Sequence, residues 1–238
     1  MIKIEFFHDV ICSFCFPMSA RMRRIAKKYD NIEIIHRSFA LGWDEKDFIR
    51  SFGSREAVKG EVLSHWAHAN ENDDEHRFNI DGMGQTDFDF PISTPGLIAA
   101  KAAGLIGGDD MYWDVFDKIQ GKLFVENKNI EDRAVLEEAV RETSINFDDW
   151  KAQYENPETE KAVLADLQLV QTYGVNSAPT LVINQRYALA GAQSQEAIER
   201  ALTKISEEEG IPLNKLQTLH TDDTASSCSI VDGKWQCD

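Results

Sequence analysis

Two cysteines two residues apart, Cys12-Ser13-Phe14-Cys15, are the residues of this 238-residue chain best suited to chemistry. They follow an apolar, strand-like run, Ile2-Lys3-Ile4-Glu5-Phe6-Phe7, and precede a helix-like run from Met18 to Tyr29. A helix opening at Cys12 places its sulfur among unpaired backbone N–H groups at the positive end of the helix dipole, which favours thiolate over thiol. A thiolate attacks a disulfide and a thiol hardly does, so Cys12 reads as a nucleophile whose sulfur must be exposed at the helix tip. Cys15, one turn later on the same face, is placed to attack a mixed disulfide formed at Cys12. A strand, a short loop and a helix that opens on C-x-x-C predict thiol–disulfide exchange. Two other uses of the spacing stay open: half of a structural zinc site, for which no second C-x-x-C is present, and an inert pair of core thiols.

The elements that must hold this pair are legible on both sides of it. Strand Ile2–Phe7, a helix from Cys12 to Tyr29 with a kink expected at Pro17, and strand Ile32–Arg37 form a parallel βαβ unit. From about Ser54 to Gly174 the pattern is helical. Ser54 caps a helix whose inner side carries Val58, Val62, Leu63 and Trp66, and the polar stretch Asn70–Asp81 reads as a loop. Thr94-Pro95 forms the N-cap and first position of a helix that Gly104 stops. Further helices start near Asp110, with Tyr112, Val115, Phe116 and Ile119 on one stripe, near Asp132, and at Asp148. A last one starts at Asn156-Pro157, with Val163, Leu164, Leu167 and Val170 inward and Gly174 as terminator.

After Gly174 strands return. Thr180–Ile183 turns at Asn184-Gln185-Arg186 into Tyr187–Ala190, and Ser194 caps a helix with Ile198, Ala201, Leu202 and Ile205 inward. The order βαβ, helical block, ββα predicts an α/β, thioredoxin-like fold with a large all-helical insertion. Residues 1–40 and 175–208 form the discontinuous thioredoxin-like domain, 41–174 the insertion and 209–238 a tail.

Ala178-Pro179 stands immediately before the strand at Thr180. A cis bond there turns the Ala178 backbone toward the thiols, where its N–H and C=O can pair with an extended substrate peptide; an ordinary trans proline at a strand edge is the alternative. Phe14, between the thiols, offers an apolar contact to substrate or packs. His8 either holds a positive charge near the thiolate or is, with Asp9, a solvated loop residue. Phe39 and Trp43 floor the site or fill the core. His65 and His68 have a ligand-compatible spacing without acidic or thiol partners in the motif, and no metal is assigned.

The tail carries the other two of the four cysteines. Folding Cys228–Cys237 about Asp232-Gly233 pairs Val231 with Lys234, Ile230 with Trp235, Ser229 with Gln236 and Cys228 with Cys237. Opposed thiols in such a pair lie within disulfide range. Three uses follow: a second redox pair that exchanges with Cys12 and Cys15, a passive staple, or a zinc site made with all four thiols.

Lys plus Arg number 25 against 41 Asp plus Glu, a formal charge of −16, which argues against a nucleic-acid or anionic-membrane surface. No run is long enough to span a bilayer, and Met1 leads straight into the first strand with no leader-like pattern, so the cytoplasm is the expected location. In a reducing compartment cysteines are reactive or metal-binding more often than structural.

Phe6-Phe7-His8-Asp9-Val10-Ile11-Cys12-Ser13-Phe14-Cys15, Ala178-Pro179-Thr180 and Tyr187–Gln193 together resemble the DsbA family. The Lys122–Leu136 run is similar to its FrnE-type branch, in which a thioredoxin fold carries a helical insertion. The resemblance covers residues 1–208. It implies a thiol–disulfide oxidoreductase or isomerase acting on thiol- or disulfide-bearing proteins, peptides or small molecules, with Cys12 attacking, Cys15 resolving and Pro179 as the cis-proline. It implies no bound cofactor beyond the redox-active disulfide, and glutathione as an electron partner. Periplasmic members carry a leader, so the resemblance leaves the direction of electron flow open, and the oligomeric state with it. Two alternatives stand beside it: a glutathione-dependent transferase or isomerase of the kappa-like type, whose members use Ser where this chain has Cys12, and a zinc-bound or disulfide-stapled interaction module.

Overall fold

A computed structural model describes residues 1–215 in full and, beyond them, the backbone of residues 228–231 and 234–237. β1 (Ile2–His8), α1 (Cys15–Lys28) and β2 (Ile32–Ser38) form the first unit, with β2 parallel to β1 and Ile2 opposite Ile32. β3 (Thr180–Ile183) returns antiparallel to β1, and β4 (Tyr187–Ala190) closes a hairpin through Asn184 and Gln185, both at positive φ. The sheet order is β2-β1-β3-β4. β1 is central and buried on both faces, which is why its sequence reads as a nearly continuous apolar run. Ile2, Ile4 and Phe6 pack with Met18, Met22 and Ile25 of α1 and with Ile198, Leu202 and Ile205 of α9 (Gln195–Glu209). On the other face Phe7 meets the Tyr173 ring edge-on.

Between β2 and β3 the chain is helical: α2 (Glu45–Phe52), α3 (Arg55–Asn72), α4 (Ile80–Gly84), α5 (Thr94–Phe124), α6 (Arg133–Arg141), α7 (Phe147–Tyr154) and α8 (Pro157–Tyr173). Side chains of Asp44, Ser54, Asp132, Asn146 and Asn156 accept the first N–H groups of α2, α3, α6, α7 and α8. Leu97, Phe116, Ile119 and Phe124 of α5 form the centre of a second core, with Trp66, Phe78, Phe90 and Trp150 around them. The fold is the expected thioredoxin-like sheet with a helical insertion.

Several boundaries differ from the sequence reading. α1 starts at Cys15, three residues later than expected, so Pro17 falls in the first turn, where a missing N–H costs nothing and no kink is needed. α3 runs on through Asn72 and Ile80–Gly84 is helical, which shortens the expected loop from both sides. α2 was not expected. Ser93 rather than Thr94 is the N-cap residue of α5, with Pro95 at the second helical position. α5 passes Gly104 and breaks at Gly108 (φ 75°, ψ −170°), a conformation that favours glycine, so two expected helices run end to end. Asn146 replaces Asp148 as the cap of α7. On α8 the expected stripe is interrupted: Leu164 is exposed and the charged Asp166 is buried.

In the tail, β5 (Cys228–Val231) and β6 (Lys234–Cys237) pair antiparallel with Cys228 opposite Cys237 and Ile230 opposite Trp235, the register read from Asp232-Gly233. The turn itself and the tail side chains, both sulfurs included, lie outside the described residues.

Candidate active site

Cys12 sits in a tight turn between β1 and α1. Its N–H donates to the Asp9 carbonyl at 3.1 Å, and its own carbonyl accepts from Cys15 N–H at 3.0 Å. Phe14 is the N-cap residue of α1 and provides no side-chain cap. Among the described residues, no backbone carbonyl takes the N–H of Ser13 or Phe14. These two donors and the positive end of α1 adjoin Cys12, although the helix begins after it rather than at it.

The Cys12 sulfur is not exposed as expected: the residue is 3% accessible. Its cover is partly polar, since the thiol donates to the Ala178 carbonyl at 3.5 Å. The Ala178–Pro179 bond is cis. Thr180 starts β3 directly after it, and Pro179 O accepts from Gly191 N–H at 2.8 Å, which ties the segment to the end of β4. Phe14 is half-buried against the helical core, as is Trp43, while Phe39 is half-buried just beyond β2.

Cys15 is wholly buried. Burial pushes its thiol well above the ordinary cysteine value, and the Cys12 sulfur, within hydrogen-bonding reach, pushes it further. Cys15 therefore holds its proton. Both cysteines are free thiols.

His8 and Asp9 are not solvated loop residues. His8 ends β1, fully buried, with its ring 3.9 Å from that of Phe116 and stacked on Phe6. Its Nε2 lies 3.1 Å from His36 Nδ1. Burial, then the neighbouring His36 and Lys101, lowers the His8 pKa well below that of free histidine, so it is neutral and supplies no charge to the thiolate. Asp9 is equally buried. Its carboxylate accepts from Leu41 N–H at 2.6 Å, the Ser93 hydroxyl at 2.7 Å and Ile11 N–H at 3.2 Å. Burial outweighs these bonds and pushes its pKa up to about 6. Asp9 is also among the groups acting on Cys15, where its charge raises the thiol and its backbone N–H lowers it.

α5 closes over the turn from the insertion side. Gly96 meets Val10 so closely that a Cβ would lie 2.8 Å from Val10 Cγ2. Ser93 holds Asp9, and the buried amide of Gln120 donates to the carbonyls of Asp9, Val10 and Cys12. Among the described residues no three His, Cys, Asp or Glu converge as a metal site, and His65 and His68 are exposed on α3. No helix among them is long and apolar enough to cross a membrane.

Residues 3–203 match the family profile described as the DSBA-like thioredoxin domain. The chain belongs to that family. In fold, this DSBA-like domain is similar to a candidate protein disulfide isomerase of Nitrosomonas europaea (TM-score 0.72, 17% identity, 88% of this chain and 99% of that one). It is also similar to the cytosolic disulfide reductase DsbM of Pseudomonas aeruginosa, solved with GSH (TM-score 0.66, 18% identity, 85% and 98%). A curated relative is the ClpXP adapter protein SpxH of Bacillus subtilis (strain 168), 28% identical over 142 residues. That match takes in 56% of this chain and 47% of SpxH, so the DSBA-like chain spans about half the length of the relative.

Gln120, which holds the DSBA-like site's turn, and Asp166, which joins α8 to β2 away from the thiols, escaped the sequence reading. Gln120 interrupts the apolar α5 stripe of Phe116, Ile119 and Leu123, and Asp166 follows Val163 on α8. A polar residue on the buried side of a helix is the signal that finds both.

Proposed function

We propose that the chain catalyses thiol–disulfide exchange through Cys12 and Cys15, as a protein disulfide reductase or isomerase of the FrnE-type branch. The Cys12 thiolate attacks one sulfur of a substrate disulfide, forming a Cys12–substrate mixed disulfide and expelling the other sulfur, which takes a proton. Asp9, ionised at neutral pH, accepts the Cys15 proton. The Cys15 sulfur then attacks Cys12, releasing the reduced substrate and leaving the Cys12–Cys15 disulfide. Two equivalents of a small thiol, glutathione, return the pair to the dithiol and leave as the oxidised dimer. No bound cofactor takes part. The observation that carries this reading is the buried thiol pair beside the cis Ala178–Pro179 bond, with Cys12 against the Ala178 carbonyl and Cys15 holding its proton.

An extended substrate strand displaces the Cys12 thiol from the Ala178 carbonyl and pairs with that backbone, with Phe14 and Pro179 beside it. Substrates are thiol- or disulfide-bearing proteins and peptides in the cytoplasm. The DsbM neighbour solved with GSH supports a small-thiol electron partner. Cys228 and Cys237, opposed across β5 and β6, serve as a second pair that exchanges with Cys12.

Reduction of a protein disulfide by the full chain in glutathione tests the proposal. Cys12→Ser abolishes turnover, and Cys15→Ser accumulates a mixed disulfide at Cys12 visible by mass. Turnover that survives Cys12→Ser ends the reading. Replacing Cys228 and Cys237 together slows re-reduction of Cys12–Cys15 if the tail exchanges; an unchanged rate and oxidation state leaves the tail as a staple.

A further inference from the structure

Gln120 is fully buried on α5. Its Nε2 donates to the Asp9 carbonyl at 3.3 Å, the Val10 carbonyl at 3.5 Å and the Cys12 carbonyl at 3.3 Å. Two amide hydrogens are thus shared among three acceptors on the turn that carries the attacking sulfur. Two of these carbonyls already close the turn, through Cys12 N–H to Asp9 and Cys15 N–H to Cys12. The other end of the side chain, Oε1, is buried without a hydrogen-bond partner. A buried amide oxygen left unpaired is unfavourable, and a methionine of similar length would fill the same space without that penalty. Packing alone therefore does not account for glutamine here; the donor end must supply something.

We propose that Gln120 is a positioning residue for Cys12, a role that rests on Cys12 being the attacking thiol. Carbonyl oxygens are the negative ends of peptide dipoles, and three of them on one side of a short turn disfavour a thiolate on that turn. Amide hydrogens directed at these oxygens offset that field, and in a water-poor site the offset is felt strongly. The same fork fixes the turn, whose next two N–H groups, of Ser13 and Phe14, are taken by no backbone carbonyl among the described residues; the Ala178 carbonyl, which accepts from the thiol, acts in the opposite sense and is unchanged by substitution at Gln120. The titratable groups around the turn are Cys15 on α1, Asp9 in the turn and His8 at the end of β1. α5 faces it with Ser93, Gly96 and Gln120, and the segment before β3 faces it with Ala178 and Pro179, none of them charged. Gln120 acts on Cys12 through the backbone and touches no substrate atom.

The test is the pH dependence of Cys12 alkylation in the reduced full chain, resolved by mass for each cysteine, in wild type, Gln120→Met and Gln120→Glu. Gln120→Met should keep a cooperative thermal transition and raise the alkylation midpoint by about 1 pH unit, a tenfold smaller thiolate fraction below the midpoint. Gln120→Glu, which sets a carboxylate against the same carbonyls, should raise it further. Midpoints equal to wild type in folded variants overturn the assignment. Loss of folding in both variants also overturns it, because Gln120 is then a strut of the core. Alkylation needs no substrate disulfide, so a wild type that reduces nothing while its midpoint still responds to Gln120 sinks the proposed function, whereas a wild type that reduces disulfides with midpoints indifferent to Gln120 sinks this inference alone.

Discussion

The Ser93 hydroxyl donates to Asp9 Oδ2 at 2.7 Å, so the first residue before α5 holds the residue three before Cys12. Even with this bond the buried Asp9 carboxyl titrates near 6 rather than 3.8. A folded-state pKa above the unfolded one gives stability that is complete below pH 3.8 and is lost as pH rises through about 6. At pH 7 the ionised carboxylate costs roughly 3 kcal/mol. Asp9→Asn carries no such charge. Urea unfolding from pH 4 to 7 should show wild type falling relative to Asp9→Asn, mostly between pH 4 and 6; parallel profiles would refute the shift.

The same carboxyl sets a kinetic expectation. In the proposed mechanism, release of substrate from a preformed Cys12 mixed disulfide requires the Cys15 proton to leave, and Asp9 can accept it only when ionised. Single-turnover release should rise with pH through an inflection near 6. In Asp9→Asn the inflection disappears and release at pH 7 slows by about 10²-fold. A variant that releases substrate at the wild-type rate removes Asp9 from the proton path.

His8 and His36 are in contact and neutral. Burial, then Arg23 and Lys101, takes His36 down from 6.5 to about 3. A histidine depressed in the folded state contributes stability that is complete above pH 6.5 and declines as pH falls toward the folded value. Between pH 6.5 and 4.5 His36 alone should remove roughly 2–3 kcal/mol. His36→Phe keeps a ring beside Tyr112 and Trp113 and should flatten this acid limb in urea titrations at those two pH values.

Asp166 brings a buried carboxylate from α8 to β2. It accepts from Lys101 Nζ at 2.5 Å, Ser38 N–H at 2.9 Å and Arg37 at 3.3 Å. Asp166→Ala strands Lys101 without a counter-charge and should cost about 3–5 kcal/mol. Arg37 keeps Glu5, at 2.8 Å. Because the cluster is shielded from water, the loss measured by urea should hardly change between 0.1 and 1 M salt.

Much of this was readable in the chain, for physical reasons that also mark where reading stops. CSFC, the apolar run ahead of it and the helical stripe behind it are local patterns, and they place the thiol pair correctly between a strand and a helix. The start of α1 was misjudged because the residue at its N-cap is Phe14, which carries no capping oxygen, while the turn before it is held by backbone bonds, the Asp9 carboxylate and the amide of the sequence-distant Gln120. His8 and Asp9 look like polar loop residues because nothing near them in sequence buries them; their cover is Phe116 and Ser93, far along the chain. Gly104 and Gly108 are indistinguishable as helix stops in sequence. Only Gly108 takes a positive φ, whereas Gly104 stays helical and packs closely beside Tyr112.

One helix both roofs the sulfur-bearing turn and supplies the oily centre of the insertion. Loosening that centre, by heat or by a cavity at Ile119 or Phe116, must therefore reach the thiols even if the sheet stays intact. Cysteine reactivity in this protein is thus a gauge of how tightly its helical block is closed, and drift in redox behaviour should announce softening there before the strands come apart.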